Sequence, residues 1–154
     1  MKSKVLKISL GIALVLGLLF IPIKTLVQKQ RIGNHHDKVL NYIFELRLEH
    51  PYIVYAQAIL ESNDFTSPIY KANNNMFGMK MPERRPTLAI GINRGHAVYR
   101  SWQECLADYA IYQSSYKRGL TEEEYLKSLN SYASDTSYIH KIRVLKNKLQ
   151  YDKE

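Results

Sequence analysis

Apolar residues recur at helical spacing along most of this chain, and one interruption in that spacing decides the fold class. Between Met81 and Trp102 the pattern changes character. Thr87-Leu88-Ala89-Ile90 and His96-Ala97-Val98-Tyr99 are β-prone runs on either side of Gly91 through Gly95. Two such runs around an Asn-Arg-Gly turn predict a hairpin. Upstream, Val39, Leu40, Ile43 and Leu46 share a helical face, with Asp37 as the expected cap and an end near Glu49. Pro51 stops that helix and suits the first turn of the next, which carries Ile53, Ala56, Ile59 and Leu60 and ends near Glu61-Ser62. Ser67-Pro68 opens a short helix through Lys71. Downstream, Ser101-Trp102-Gln103-Glu104 reads as a capping box for a helix that turns Cys105, Leu106, Tyr109 and Tyr112 inward, and Thr121-Glu122-Glu123-Glu124 repeats the signal. A last helix starting at Asp135 or Thr136 carries Ile139, Ile142, Leu145 and Leu149. The expected fold is α+β, mostly helical, with the hairpin as a small lobe.

A chain of 154 residues suits one such domain plus an appendage. The appendage is N-terminal. Lys2, Lys4 and Lys7 precede an apolar run from Ile8 to Ile23 that holds no charge and is interrupted by Ser9, Gly11, Gly17 and Pro22. A basic head before an apolar stretch marks a signal anchor or a signal peptide. The run is slightly short of the roughly 20 apolar residues of a full span, unless Thr25, Leu26 and Val27 extend it. No small-x-small cleavage site follows. The sequence therefore favours an uncleaved N-terminal transmembrane helix over residues 1–27, with secretion after cleavage as the alternative. A core helix is disfavoured because its polar residues do not share a face. Basic residues lie on both sides of the run, so the charge rule barely sets its orientation. A short head normally stays inside, which places the remainder outside the cell membrane. Gln28 to His36 reads as a polar linker, and residues 37–150 as the exported domain.

The net charge of +8 favours anionic partners. No basic and aromatic residues interleave as in a nucleic-acid motif, so nucleic acid is not an expected partner. Twelve tyrosines against four phenylalanines suit carbohydrate clefts, and equally a wet core edge. Cys105 is the only cysteine, which excludes an internal disulfide and a cysteine zinc site. His35, His36, His50, His96 and His140 show no metal-ligand spacing. There is no phosphate loop, dinucleotide fingerprint or Ser-His-Asp order, so no metal or cofactor is expected.

What carries chemistry is Ala56-Gln57-Ala58-Ile59-Leu60-Glu61-Ser62 followed by Asn73-Asn74-Asn75-Met76-Phe77-Gly78-Met79-Lys80. Glu61 ends an apolar helical run. The helix dipole and apolar burial both disfavour its ionised form, which suits a general acid at neutral pH; a solvated last-turn Glu is the competing reading. Gln57 lies one turn earlier on the same face, within reach of the acid or of a sugar amide, or is a plain polar residue. Asn74 and Asn75 are candidates to bind an N-acetyl group, or to cap a turn. Phe77 is a candidate to stack on a sugar or to anchor the loop. Gly78 allows close backbone approach or positive φ. Glycosidases usually pair two acids across the scissile bond, yet Arg84 to Trp102 contains neither Asp nor Glu. Glu83 is the one acid beside the hairpin, a candidate base or nucleophile, or a solvated charge beside Arg84 and Arg85. Asp64 is near Glu61 in sequence but free to point elsewhere, and Asp108 falls within a helix as a structural residue.

These two segments, with Tyr99-Arg100-Ser101-Trp102 and Tyr132-Ala133-Ser134-Asp135-Thr136-Ser137-Tyr138, resemble glycoside hydrolase family 73, the bacterial endo-β-N-acetylglucosaminidases of autolysins and flagellar peptidoglycan hydrolases. The resemblance runs from about Val39 to Leu149. It implies a lysozyme-like fold with a glycan groove between a helical and a β-hairpin lobe, and hydrolysis of the β-1,4 bond after N-acetylglucosamine in peptidoglycan glycan strands. It makes Glu61 the general acid, puts Asn75, Phe77 and Gly78 on the groove wall, and matches Tyr132 to a tyrosine lining the active site. The chain departs from the pattern twice: the hairpin lacks an obvious second acid, and Asn63-Asp64-Phe65 stands where a Gly-Trp-Gly-like turn is usual. Glu83, or the N-acetyl group of the substrate, would then have to supply the second role. A lytic transglycosylase on the same glycan, which needs a single Glu, and a catalytically silent glycan-binding module are the alternatives. The sequence names no protein partner.

Overall fold

The computed structural model describes residues 35–129 and 137–151. The segment expected to cross a membrane, residues 1–27, lies outside them, as do most of the linker and Tyr132. Among the described residues no helix is long and apolar enough to span a bilayer. Residues from Val39 onward form one compact unit.

Helix α1 is present over residues 35–45. It is already formed at His35, so Asp37 lies inside the helix rather than at its cap. Val39 and Ile43 are fully buried and Leu40 nearly so, which is the apolar face the spacing predicted. Helix α2, Pro51–Glu61, has Pro51 in its first turn, where a missing N–H does no harm. Ser67 caps α3, Pro68–Asn73, by accepting from the Tyr70 N–H at 3.1 Å.

The hairpin exists, but its first strand is shifted along the chain. Strand β1, Gly91–Asn93, pairs antiparallel with β2, His96–Val98, in the register Gly91↔Val98, Ile92↔Ala97, Asn93↔His96. The turn sets this register. Arg94 and Gly95 take positive φ, 53° and 75°, and so close a two-residue loop whose twist matches that of the strands. Strand pairing must therefore begin at Asn93 and His96. Residues 87–90, expected as strand, continue the line through one bond from the Ile90 N–H to the Val98 carbonyl at 2.8 Å.

Helix α4, Trp102–Tyr116, starts at Ser101, whose hydroxyl accepts from the Glu104 N–H at 3.2 Å. The returning arm of the expected box reaches Arg100 instead: Glu104 accepts from the Arg100 N–H at 3.0 Å. Helix α5, Glu122–Ser128, has the complete reciprocal box between Thr121 and Glu124. Helix α6, Tyr138–Tyr151, packs on α2 and buries Tyr138 and Ile142. Ile53, Val54, Phe77, Leu106, Tyr109, Leu126 and Ile142 make a core with at most 1% exposure at any of them. Cys105 is buried, and burial pushes its thiol up to about 12, so it remains an inert apolar filler.

Candidate active site

Glu61 is the last residue of α2. The chain reverses at once behind it. The Asp64 N–H bonds the Ile59 carbonyl at 2.8 Å and the Asn63 N–H bonds the Leu60 carbonyl at 3.2 Å, the paired closure of a Schellman ending. Ser62 is buried and fixes the turn twice, donating to the Ala58 carbonyl at 2.6 Å and accepting from the Phe65 N–H at 2.8 Å. Asn63, Asp64 and Phe65 all take positive φ. Asp64 is exposed.

Glu61 itself is partly exposed. Loss of solvent raises its pKa above the ordinary carboxyl value, and a hydrogen bond from the Tyr138 hydroxyl opposes that rise. The same pairing with a carboxylate, added to burial, pushes the Tyr138 phenol upward. Burial of Glu61 thus favours its protonated form, as a general acid needs, while its one specific donor, Tyr138, favours the ionised form.

Gln57 is fully buried directly behind it. Its amide accepts from the Tyr109 hydroxyl at 2.8 Å and donates to the Tyr138 hydroxyl at 3.5 Å, so it faces the acid's partner and has no group turned to a ligand. Asn75 is 1% exposed and completely engaged: it donates to the Met79 and Ala97 carbonyls at 2.8 and 2.9 Å and accepts from the Met79 N–H at 3.0 Å. Asn74 donates to the Tyr99 and Arg100 carbonyls at 2.9 and 3.2 Å. Asn73, not singled out from the sequence, exchanges side-chain and backbone bonds with Asn93 at 2.8 and 2.9 Å and accepts from the Tyr99 N–H at 2.9 Å. The asparagine run therefore ties α3 to the hairpin. Phe77 is 1% exposed, its ring stacked on Tyr109 with centroids 4.1 Å apart; it anchors the loop and presents no free face. Gly78 takes φ +62°, and a Cβ there would meet nothing within 4 Å, so backbone conformation rather than close approach requires glycine.

Glu83 is exposed. With Gly78, Lys80, Arg84, Arg85 and Tyr112 it lines an open cavity of about 640 Å³ whose wall does not include Glu61. Asp108 is structural, as expected: it holds Arg85 through a two-pronged pair at 3.0 and 2.8 Å. Among the described residues no group of His, Cys, Asp and Glu is arranged to hold a metal ion.

Residues 47–151 match the Glucosaminidase family, described as mannosyl-glycoprotein endo-beta-N-acetylglucosaminidase. The chain belongs to that family, glycoside hydrolase family 73. It is a glycoside hydrolase. Two solved structures carry the same architecture. The catalytic domain of the autolysin Auto from Listeria monocytogenes is similar at 26% identity, over 79% of this chain and 83% of that one, with a TM-score of 0.50. A chain in a type VI secretion system effector–immunity complex from Pseudomonas protegens is similar in fold at 20% identity, over 76% and 89% of the two chains, with a TM-score of 0.56. No curated protein sequence matches the chain significantly.

Sequence reasoning missed Tyr138. It stands in the same motif as Tyr132, and nothing in the spacing said that its hydroxyl bonds Glu61.

Proposed function

We propose that this glucosaminidase-family enzyme hydrolyses the β-1,4 bond after N-acetylglucosamine in peptidoglycan, with Glu61 as the general acid. The observation that carries this is the setting of Glu61: a half-buried carboxyl at a helix end, its pKa raised by burial, and a tyrosine on one side only. The likeness to an autolysin catalytic domain supports a cell-wall glycan as substrate. Tyr132 is assigned the family's active-site tyrosine on its motif.

The second chemical role goes to the substrate. The hairpin carries no acid, and Glu83 sits exposed in a wall shared with Lys80, Arg84 and Arg85. The acetamido carbonyl oxygen of the N-acetylglucosamine attacks C1. The bond from C1 to the leaving oxygen breaks, its electron pair stays with that oxygen, and the oxygen takes the proton of Glu61. Water then adds at C1, opens the oxazolinium ring and returns a proton to Glu61.

Digestion of purified peptidoglycan tests this. Glu61→Gln should lower the rate at least about a hundredfold, as loss of a general acid does, and Glu83→Gln should stay within about threefold of wild type. A hundredfold loss in Glu83→Gln would transfer the second role to that residue. Mass spectrometry of the products should show reducing N-acetylglucosamine ends; anhydro-muramic ends would make the enzyme a lytic transglycosylase instead. We further propose that residues 1–27 anchor the domain on the outer side of the cell membrane. Release of the enzyme from membranes by alkaline carbonate would refute the anchor.

A further inference from the structure

The buried polar groups behind Glu61 form one connected line. The Glu49 N–H donates to Gln113 Oε1 at 2.7 Å, and Gln113 Nε2 donates to the Tyr125 hydroxyl at 3.2 Å. The Tyr125 and Tyr109 hydroxyls are 2.7 Å apart. Tyr109 donates to Gln57 Oε1 at 2.8 Å, Gln57 Nε2 reaches the Tyr138 hydroxyl at 3.5 Å, and Tyr138 bonds Glu61. Gln57, Tyr109 and Tyr125 are fully buried, Gln113 is 4% exposed and Tyr138 8%.

The direction of every bond follows from the inventory of donors. An ionised Glu61 only accepts, so the single proton of Tyr138 goes to it. Tyr138 must then accept from Gln57, which fixes the Gln57 amide with Nε2 toward Tyr138 and Oε1 toward Tyr109. Tyr109 must donate to that Oε1, which leaves its oxygen to accept from Tyr125. Tyr125 in turn accepts from Gln113. A second bond from Gln113 Nε2 to the Glu49 carbonyl at 2.9 Å clamps the far end on one peptide unit. With Glu61 ionised, each link from Gln113 to Tyr138 donates toward the carboxyl, and only the second Gln113 Nε2 proton turns back, to the Glu49 carbonyl.

We propose that this one-way chain, from the Glu49 backbone through Gln113, Tyr125, Tyr109 and Gln57 to Tyr138, positions the Glu61 carboxyl and determines which of its oxygens carries the catalytic proton. The oxygen facing Tyr138 is held as an acceptor. The proton is therefore confined to the other oxygen. Bonds aligned head to tail polarise one another, so the last donor is stronger than a lone phenol and stabilises the carboxylate left after proton transfer. Among the described residues burial and the Tyr138 hydroxyl are the influences that bear on Glu61, and α2 itself carries no Lys, Arg or His. The links from Gln113 to Tyr138 are thus positioning residues that act through Tyr138.

The proposal rests on Glu61 being the acid for its catalytic meaning, but not for its test. The carboxyl of Glu61 is titrated by carbon-13 NMR in the intact protein, in wild type, Tyr109→Phe and the double variant Tyr109→Phe/Tyr125→Phe, and kcat is followed against pH in the same proteins. The double variant removes both hydroxyls and leaves neither without its neighbour. We expect the titration of Glu61 to move to higher pH in both variants, and the alkaline limb of kcat to move with it, while kcat at its optimum falls about three- to tenfold. A titration midpoint unchanged in both variants overturns the chain, whatever happens to the rate. A midpoint that moves while the limb stays fixed leaves the chain standing and refutes Glu61 as the acid.

Discussion

Replacing Asp108 by Asn should destabilise the fold by several kilocalories, through one buried charge. The Asp108 carboxylate accepts from Arg85 Nη1 and Nη2 at 3.0 and 2.8 Å, from the Leu88 N–H at 2.9 Å and from the Tyr99 hydroxyl at 2.9 Å. The two charged side chains are 0% and 5% exposed. Asn keeps the shape but removes the charge, and leaves the Arg85 guanidinium buried without a counter-ion. Breaking such a pair costs about 3–5 kcal/mol, a large share of the roughly 6–17 kcal/mol expected for a domain of this size. At about 4 °C per kcal/mol the melting temperature should fall by about 12–20 °C. Thermal unfolding followed by circular dichroism reads this directly. The double variant Arg85→Met/Asp108→Leu should recover part of the loss, because no charge is then buried. It cannot recover all, since the Tyr99 hydroxyl and the Leu88 N–H stay unpaired at about 1–3 kcal/mol each. The gap between wild type and Asp108→Asn should also narrow in acid. Burial pushes the Asp108 pKa up, but Arg85, the Leu88 N–H and Tyr99 outweigh it and hold it below the ordinary value. Its stabilisation is therefore complete above the unfolded value of about 3.9 and disappears as pH falls through the folded one. A loss below about 1 kcal/mol at neutral pH, or a double variant no better than the single, would show that the pair does not anchor residues 85–88 to α4.

Glu61→Gln should gain stability relative to wild type as pH rises. Burial raises the Glu61 pKa, so the fold favours the protonated form below the unfolded value of about 4.3 and loses that preference as pH climbs through the folded value; denaturant midpoints at pH 4 and pH 8 that differ in the opposite sense refute it. Arg94→Asn should stabilise the hairpin by about 0.5–1 kcal/mol, because Arg94 has φ 53° and Asn tolerates that region better. An unchanged or lower melting temperature would mean that contacts of the Arg94 side chain outweigh its backbone strain.

Periodicity made the helices legible: Val39, Ile43, Ile53, Leu106 and Ile142 all lie on the buried faces that their spacing implied. The hairpin, its Asn-Arg-Gly turn and its second strand were legible, but the first strand was placed at residues 87–90 instead of Gly91–Asn93, because a run of glycine, isoleucine and asparagine has weaker β-propensity than Thr-Leu-Ala-Ile. Site residues divide by how far their partners lie along the chain. The place of Glu61 at the end of α2 was legible because helix end, apolar run and carboxylate are local features. Asn75 and Phe77 drew sugar-binding expectations because a polar loop and an aromatic look alike whether they face a ligand or an interior. Only the long-range partners, Ala97 for Asn75 and Tyr109 for Phe77, reveal that both face inward. Tyr138 was illegible for the same reason, since its partner Glu61 lies in another helix.

The turn behind Glu61 links these observations. Three consecutive residues with positive φ and no glycine are unfavourable, by about 1–2 kcal/mol for an ordinary side chain and less for Asn and Asp. Phe65, at φ 58°, is the residue with least tolerance for that region, yet it is buried and packs against Tyr70 with ring centroids 5.6 Å apart. Burial of its ring, worth about 2 kcal/mol, is large enough to offset its backbone strain. A glycine-rich turn would avoid the strain but lose that packing and gain freedom in the unfolded chain. The sequence thus ends α2 abruptly by side-chain packing where glycines would do so by conformational freedom. The reversal closed by Ser62 makes Glu61 the last residue of α2, partly exposed and bonded to the Tyr138 hydroxyl.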